Sequence, residues 1–186
     1  MKMYVFLADG FEEIEALATV DLLRRAGLET VTVSINSGAE VTAAHGVKVV
    51  ADTVLSDTKV TADDWLILPG GLPGATNLVE NLTLAKMLTA HHALGGYLAA
   101  ICASPAFVLG ALGLLDGGVR ATCYPGCEGK APGVNFTGKP VEVTDRIITG
   151  RGPGYTMQFA LAIIEAAAGA DVANRVADGL LLTEQQ

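Results

Sequence analysis

The residue best placed to do chemistry is Cys102. The run Tyr97-Leu98-Ala99-Ala100-Ile101 reads as a buried strand, Cys102 follows at once, and Ser104-Pro105 opens a helical stretch that reaches Leu112. A side chain on such a strand-to-helix turn projects above a sheet as a nucleophile elbow does. The start of the next helix offers unpaired N–H groups and a positive dipole end, both of which favour thiolate. A cysteine so placed can fall from ~8.5 to ~3.5–7.5 and become a nucleophile at neutral pH. The competing reading is a small buried hydrophobe, which is what most free cysteines are.

A thiolate needs a proton partner, and three carboxylates open the first helical pattern. Glu12 and Glu13 read as first-turn acids that suit the helix dipole and solubilise the turn. Glu15 lies beside Ile14 and two residues before Leu17, at the edge of the inward face. If the first and fifth turns are neighbours above the sheet, its protonated carboxyl reaches Cys102 and helps hold the thiolate. Pro69-Gly70-Gly71 follows a strand and precedes a helix, so its amides suit an anion or oxyanion pocket. Plain turn geometry is the commoner reason for a Gly-Gly pair. Neither a dinucleotide fingerprint nor a phosphate-binding loop occurs, so no nucleotide cofactor is expected. Cys123 and Cys127 have no second Cys/His pair at ligand spacing, and no metal is expected. The alternative for them is redox, one of the two resolving an oxidised Cys102. His45, in a turn-rich stretch, and His91-His92, at a helix end, read as surface residues.

These residues need a scaffold, and hydrophobic periodicity supplies one. Strands are expected at Tyr4–Ala8, Glu29–Ile35, Val47–Val50, Trp65–Leu68, Tyr97–Ile101, Val119–Thr122 and Arg146–Thr149. Helical patterns run from Ile14 to Leu22 with Gly27 as C-cap, through Leu78 to Leu88, and over Pro105–Leu112, Thr156–Ala168 and Val172–Leu182. Tyr124–Lys139 reads as a Gly- and Pro-rich loop with short strands. Strands alternating with helices indicate an α/β fold, a mostly parallel central sheet covered by helices on both faces. One domain is expected over residues 1–186, with function at the carboxyl ends of the strands.

Composition narrows the partners. The chain has 186 residues, 51% hydrophobic and 17% charged, enough for a packed core and a poor match to disorder. A net charge of -8 repels phosphate backbones, so nucleic acid is not an expected partner. Ala93–Leu115 is long enough to span a bilayer, yet Gly95-Gly96 and Ser104-Pro105 interrupt it and no Lys or Arg flanks it closely. No membrane association is expected. The N-terminal apolar run, Met3–Ala8, falls short of the ~7–15 residues of a signal peptide's apolar region. Three cysteines suit a reducing cytoplasm better than a disulfide framework.

Five segments together resemble the ThiJ/PfpI superfamily, in the branch of the Parkinsonism-associated protein deglycase and its bacterial relatives. They are Ala8-Asp9-Gly10-Phe11-Glu12-Glu13-Ile14-Glu15, Val20–Gly27, Leu68-Pro69-Gly70-Gly71, Ala99-Ala100-Ile101-Cys102-Ala103, and Arg151-Gly152-Pro153-Gly154 running into Phe159–Ile163. The resemblance implies a flavodoxin-like sandwich, usually homodimeric, with Cys102 as nucleophile, Glu15 as the acid touching it, and the amides of Gly71 and Ala103 as oxyanion donors. Two positions depart from the pattern. Ala103 stands where the protease-like branch has a His, which disfavours peptidase activity. Tyr124, before Pro125, stands where the deglycase branch has a His. A phenol of pKa ~10 donates a hydrogen bond at neutral pH, so Tyr124 is expected to orient a carbonyl and leave base work to Glu15.

Two functions follow from one environment. The favoured expectation is a cofactor-independent enzyme acting on small reactive aldehydes such as methylglyoxal, or on glycated protein adducts. The alternative is a redox-responsive protective protein or chaperone that uses oxidation of Cys102.

Overall fold

Alternating side chains of one short strand, Met3–Leu7, supply both halves of the core. Met3, Val5 and Leu7 pack to one side, while Tyr4 and Phe6 pack to the other. That two-residue period makes a strand buried on both faces possible. The computed structural model describes residues 1–182. Its strands are β1 (Met3–Leu7), β2 (Thr30–Ser34), β3 (Glu40–Thr42), β4 (Lys48–Val50), β5 (Thr53–Val54), β6 (Trp65–Leu68), β7 (Tyr97–Ile101), β8 (Arg120–Ala121), β9 (Asn135–Phe136), β10 (Val141–Thr144) and β11 (Ile147–Gly150). The helices are α1 (Glu13–Arg25), α2 (Gly74–Glu80), α3 (Leu82–Ala93), α4 (Thr156–Ala168) and α5 (Ala170–Gly179).

Seven strands form the central sheet in the order β10-β11-β7-β6-β1-β2-β5. Every pairing in it is parallel except the edge pair of β10 and β11. Residues of α1, α4 and α5 cover one face, and residues of α2, α3 and the 105–115 stretch cover the other. The expected flavodoxin-like α/β fold is therefore present. Neighbouring β1, β6 and β7 bring the turns after each of them to one edge of the sheet, as a parallel arrangement requires.

Several local expectations need correction. The helical pattern across Leu78 to Leu88 is two helices, because Asn81 leaves α2 and caps α3, its side chain accepting from the amides of Thr83 and Leu84. The stretch after Cys102 is a six-residue π-helical segment, Pro105–Gly110, not a helix to Leu112. The strand expected at Val119–Thr122 shrinks to β8, which pairs with β9 outside the main sheet. Among the described residues no helix is long and apolar enough to cross a membrane. The apolar stretch Ala93–Leu115 divides at Gly95-Gly96 and Cys102 into a helix end, β7 and the π-helical segment.

Candidate active site

The turn after β7 places Cys102 at φ +64, a left-handed backbone that only Gly, and occasionally Asn or Asp, visits readily. Such a conformation costs of order 1–3 kcal/mol and persists only where neighbours over-determine it. Here the neighbours are hydrogen bonds: the Cys102 amide donates to the Gly150 carbonyl at 2.9 Å, and the Cys102 carbonyl accepts from the Tyr124 amide at 2.7 Å. The Ser104 hydroxyl adds a third tie, donating to the Pro69 carbonyl at 2.6 Å from a fully buried position. The elbow expected from the sequence is in place.

Glu15 reaches the same point from α1. The Glu12 side chain caps the helix by accepting from the Glu15 amide at 2.7 Å, so Glu12 is a buried structural acid and not a solubilising one. Glu15 itself is 1% exposed. Its Oε2 accepts from the Gly70 amide at 2.8 Å, and its side chain interacts with Cys102. The second oxygen, Oε1, is buried and has no hydrogen-bond partner. Gly70 sits between the two groups: a Cβ there would lie 2.6 Å from the Cys102 Cβ and 2.8 Å from Glu15 Oε2. Only the absence of a side chain at 70 lets acid and thiol meet.

The next residue is equally confined. Gly71 has φ +88, and a Cβ on it would lie 2.5 Å from the Gly10 carbonyl oxygen and the Glu12 nitrogen. The turns after β1, β6 and β7 thus interlock. The amides of Gly71 and Ala103 both donate toward the Cys102 sulfur. Above them a cavity of about 190 Å³ is lined by Gly71, Leu72, Cys102, Ala103, Tyr124 and Cys127. All five residues expected at the site, Cys102, Glu15, Tyr124, Gly71 and Ala103, are brought together. Tyr124 is half exposed and also borders a second, larger hollow with Arg151 and Tyr155.

The electrostatics differ from the expectation of a readily ionised thiol. Burial pushes the Cys102 thiol up, a charged Glu15 pushes it further, and the amides of Gly71 and Ala103 pull only partly against them. The expected dipole contribution is small, because the segment beyond the elbow is a short π-helical piece. Burial likewise raises the Glu15 carboxyl to about 7, against the opposing hydrogen bonds from Cys102 and Gly70. At neutral pH the pair keeps at least one proton. Because the thiol is held higher than the carboxyl, that proton rests on the Cys102 sulfur, and Glu15 is the group that gives up or takes a proton first.

Sequence reasoning missed four contributors. Ser104 gave no signal, since a serine before proline is an ordinary turn. Gly10 was legible as a turn former and Gly70 as a turn former or amide donor, neither as one of the gaps that let three loops approach. Cys127 was grouped with Cys123, whereas only Cys127 lines the cavity. His91, expected at the surface, is buried 3% exposed with its ring against Gly96. His45 is exposed as expected and pairs with Glu13 at 2.8 Å. Glu12, Glu13 and His45 have ligand atoms within 4.8 Å of one another, but Glu12 is occupied capping α1 and Glu13 by the histidine.

A cysteine on a positive-φ elbow at the carboxyl edge of a flavodoxin-like sheet, touching a buried acid, defines a class of α/β proteins built around one reactive thiol. The chain belongs to the DJ-1/PfpI family, whose model matches residues 1–166. It is 39% identical over 182 residues to Protein DJ-1 homolog B of Arabidopsis thaliana, covering 97% of this chain and 41% of that protein. The chain thus spans less than half the length of the plant relatives it matches. It is 35% identical over 175 residues to the Glutathione-independent glyoxalase DJR-1.2 of Caenorhabditis elegans, covering 93% of this chain and 91% of that one. The structure of oxidized DJ-1 from Toxoplasma gondii superposes with a TM-score of 0.91 at 38% identity, covering 97% of each chain.

Proposed function

We propose that this chain is a cysteine-dependent, cofactor-independent enzyme acting on reactive carbonyls, converting methylglyoxal to lactate or removing such groups from glycated protein. The observation that carries this reading is the buried Glu15–Cys102 pair beneath a small cavity, with two amides aimed at the sulfur. The name of the worm relative supports it.

In this mechanism Cys102 attacks the aldehyde carbon, its proton passing to Glu15 and from there to the new alkoxide oxygen, so that a hemithioacetal forms and Glu15 is again a carboxylate. The developing oxyanion is held by the Gly71 and Ala103 amides, and the Tyr124 hydroxyl orients the neighbouring ketone. Glu15 removes the C–H proton of the hemithioacetal and returns it to the adjacent carbon, giving a thioester of 2-hydroxypropanoate. Water then cleaves the thioester, releasing lactate and the thiol. A carboxyl held at about 7 suits both halves of that transfer. The working form we propose is a homodimer, in keeping with exposed Ile14 and Leu17 on α1, and its compartment a reducing cytoplasm, in keeping with three unpaired cysteines.

The test is lactate formation from methylglyoxal without glutathione. Turnover is expected in the wild type and absent in Cys102→Ser, and unchanged turnover in Glu15→Gln would remove the proton-transfer step. A second reading, a redox-responsive protective protein, is favoured by the buried thiol's hydrogen bonds, which would also hold a sulfinate, and by the oxidised state of the Toxoplasma relative. No lactate from the wild type would leave that reading standing.

A further inference from the structure

The turn that follows β8 is exposed at every residue from Tyr124 to Lys130 except one, Cys127. Cys127 faces inward. It lines the same cavity as Cys102 and packs in one apolar cluster with Ala103 and Ala106. Cys123 belongs to that cluster but does not line the cavity. The backbone links the two thiols: Tyr124 N donates to the Cys102 carbonyl at 2.7 Å, and Cys127 N donates to the Tyr124 carbonyl at 3.0 Å. Between them Gly126, at φ +91, makes the bend that returns the chain toward the elbow.

We propose that Cys127 is the resolving thiol of Cys102, so that oxidation of Cys102 by a hydroperoxide ends in a reversible Cys102–Cys127 disulfide. The steps balance. The Cys102 sulfur attacks the peroxide O–O bond, becomes a sulfenic acid, and the peroxide leaves as an alcohol or water carrying the displaced proton. The Cys127 sulfur then attacks the sulfenic sulfur; an S–S bond forms, the S–O bond breaks, and the hydroxyl leaves as water with the Cys127 proton. Two thiols lose two electrons and the peroxide gains them. An added dithiol reverses the bond by exchange and is itself oxidised.

The arrangement assigns different roles to the two sulfurs. Burial raises both thiols, so the difference lies in their partners: Cys102 has Glu15 and the amides of Gly71 and Ala103 at its sulfur, whereas Cys127 packs against Ala103 and Ala106. The bond would tie the 124–130 turn to the elbow across the cavity that both cysteines line. Capture as a disulfide also competes with further oxidation to sulfinic acid, which thiols do not reverse. The proposal needs only a nucleophilic Cys102 and stands apart from the carbonyl reading.

The experiment is intact-mass analysis and non-reduced peptide mapping of the wild-type chain after about one equivalent of hydrogen peroxide. The expected result is a loss of about 2 Da, a linked pair of peptides containing Cys102 and Cys127, and recovery of the starting mass with dithiothreitol. Cys127→Ser should instead gain about 16 or 32 Da at Cys102, while Cys123→Ser should still lose about 2 Da. A wild type that gains about 32 Da at Cys102 with Cys127 free overturns the proposal. So does a Cys123–Cys127 bond that also forms in Cys102→Ser. The mapping on the wild type decides the matter even if a variant folds poorly. Because mass requires no turnover, a chain that makes no lactate can still pass, and one that makes lactate can still fail.

Discussion

Two buried carboxylates in this chain are kept in opposite states. Glu142, on edge strand β10, has a side chain 5% exposed, with Lys139 at 3.2 Å and Arg120 at 3.7 Å. Burial alone would raise its pKa, but Thr137, Lys139 and Arg120 together hold it below its ordinary range. Glu15, 1% exposed, suffers the heavier desolvation and among the described residues has no cation beside it, only an amide, a thiol and the like charge of Glu12, and it rises to about 7. The difference lies in how far each acid is desolvated and in the company it keeps. A paired acid is a structural anion, whereas an unpaired one is a proton store within reach of a nucleophile.

Gly70→Ala should break the active half of this comparison most sharply. Its methyl would press on the Cys102 Cβ, Glu15 Oε2 and the Ile101 carbonyl together, so acid and thiol must separate. A displacement near 1 Å predicts a loss on the order of 10²-fold in lactate turnover, measured against wild type. Retained turnover would show that the contact is dispensable.

Next in size is the pH dependence of stability. Between about 4.5 and about 7 the native Glu15 holds a proton that the unfolded chain releases, so wild-type stability must fall as pH rises through that window. The full effect is about 3 kcal/mol from a shift of this size. Denaturant unfolding across pH 4–8 should show the slope in wild type and its absence in Glu15→Gln. Glu142 predicts the reverse sign and a smaller effect. Its contribution is present above the unfolded carboxylate range and lost as pH falls through the depressed value, so Glu142→Gln should flatten the acid limb, by about 1 kcal/mol or less because both cations are exposed. Matching slopes in the two variants would erase the distinction drawn here.

What could be read beforehand tracks what side-chain pattern encodes. β1, β6 and β7 are unbroken apolar runs closed by Asp9-Gly10, Pro69-Gly70 and Cys102, and α4 carries a continuous apolar pattern, so the sheet, the elbow and the meeting of Glu15 with Cys102 were legible. β10 was not, because its pattern is inverted: Glu142 points inward and Val143 is half exposed, the opposite of what alternating polarity suggests. Glu12 was misread for a related reason, since a first-turn glutamate looks the same whether it meets solvent or folds back to cap the helix. The raised Cys102 was out of reach because desolvation depends on the packing of three loops that are far apart in sequence.

The interlocking of those loops has a bearing on redesign. Gly10, Gly70, Gly71 and Gly74 each face another loop's atoms at under 3 Å from any added Cβ, so the floor of the pocket admits no new side chains. The rim is different: Gly129 and Gly154 have open space where a side chain would go and no left-handed backbone to forbid it. A library aimed at accepting bulkier aldehydes should therefore spare the floor, Tyr124, Gly126 and Cys127, and vary residues 128–130 and 153–155, retargeting the entrance while the reacting groups stay fixed.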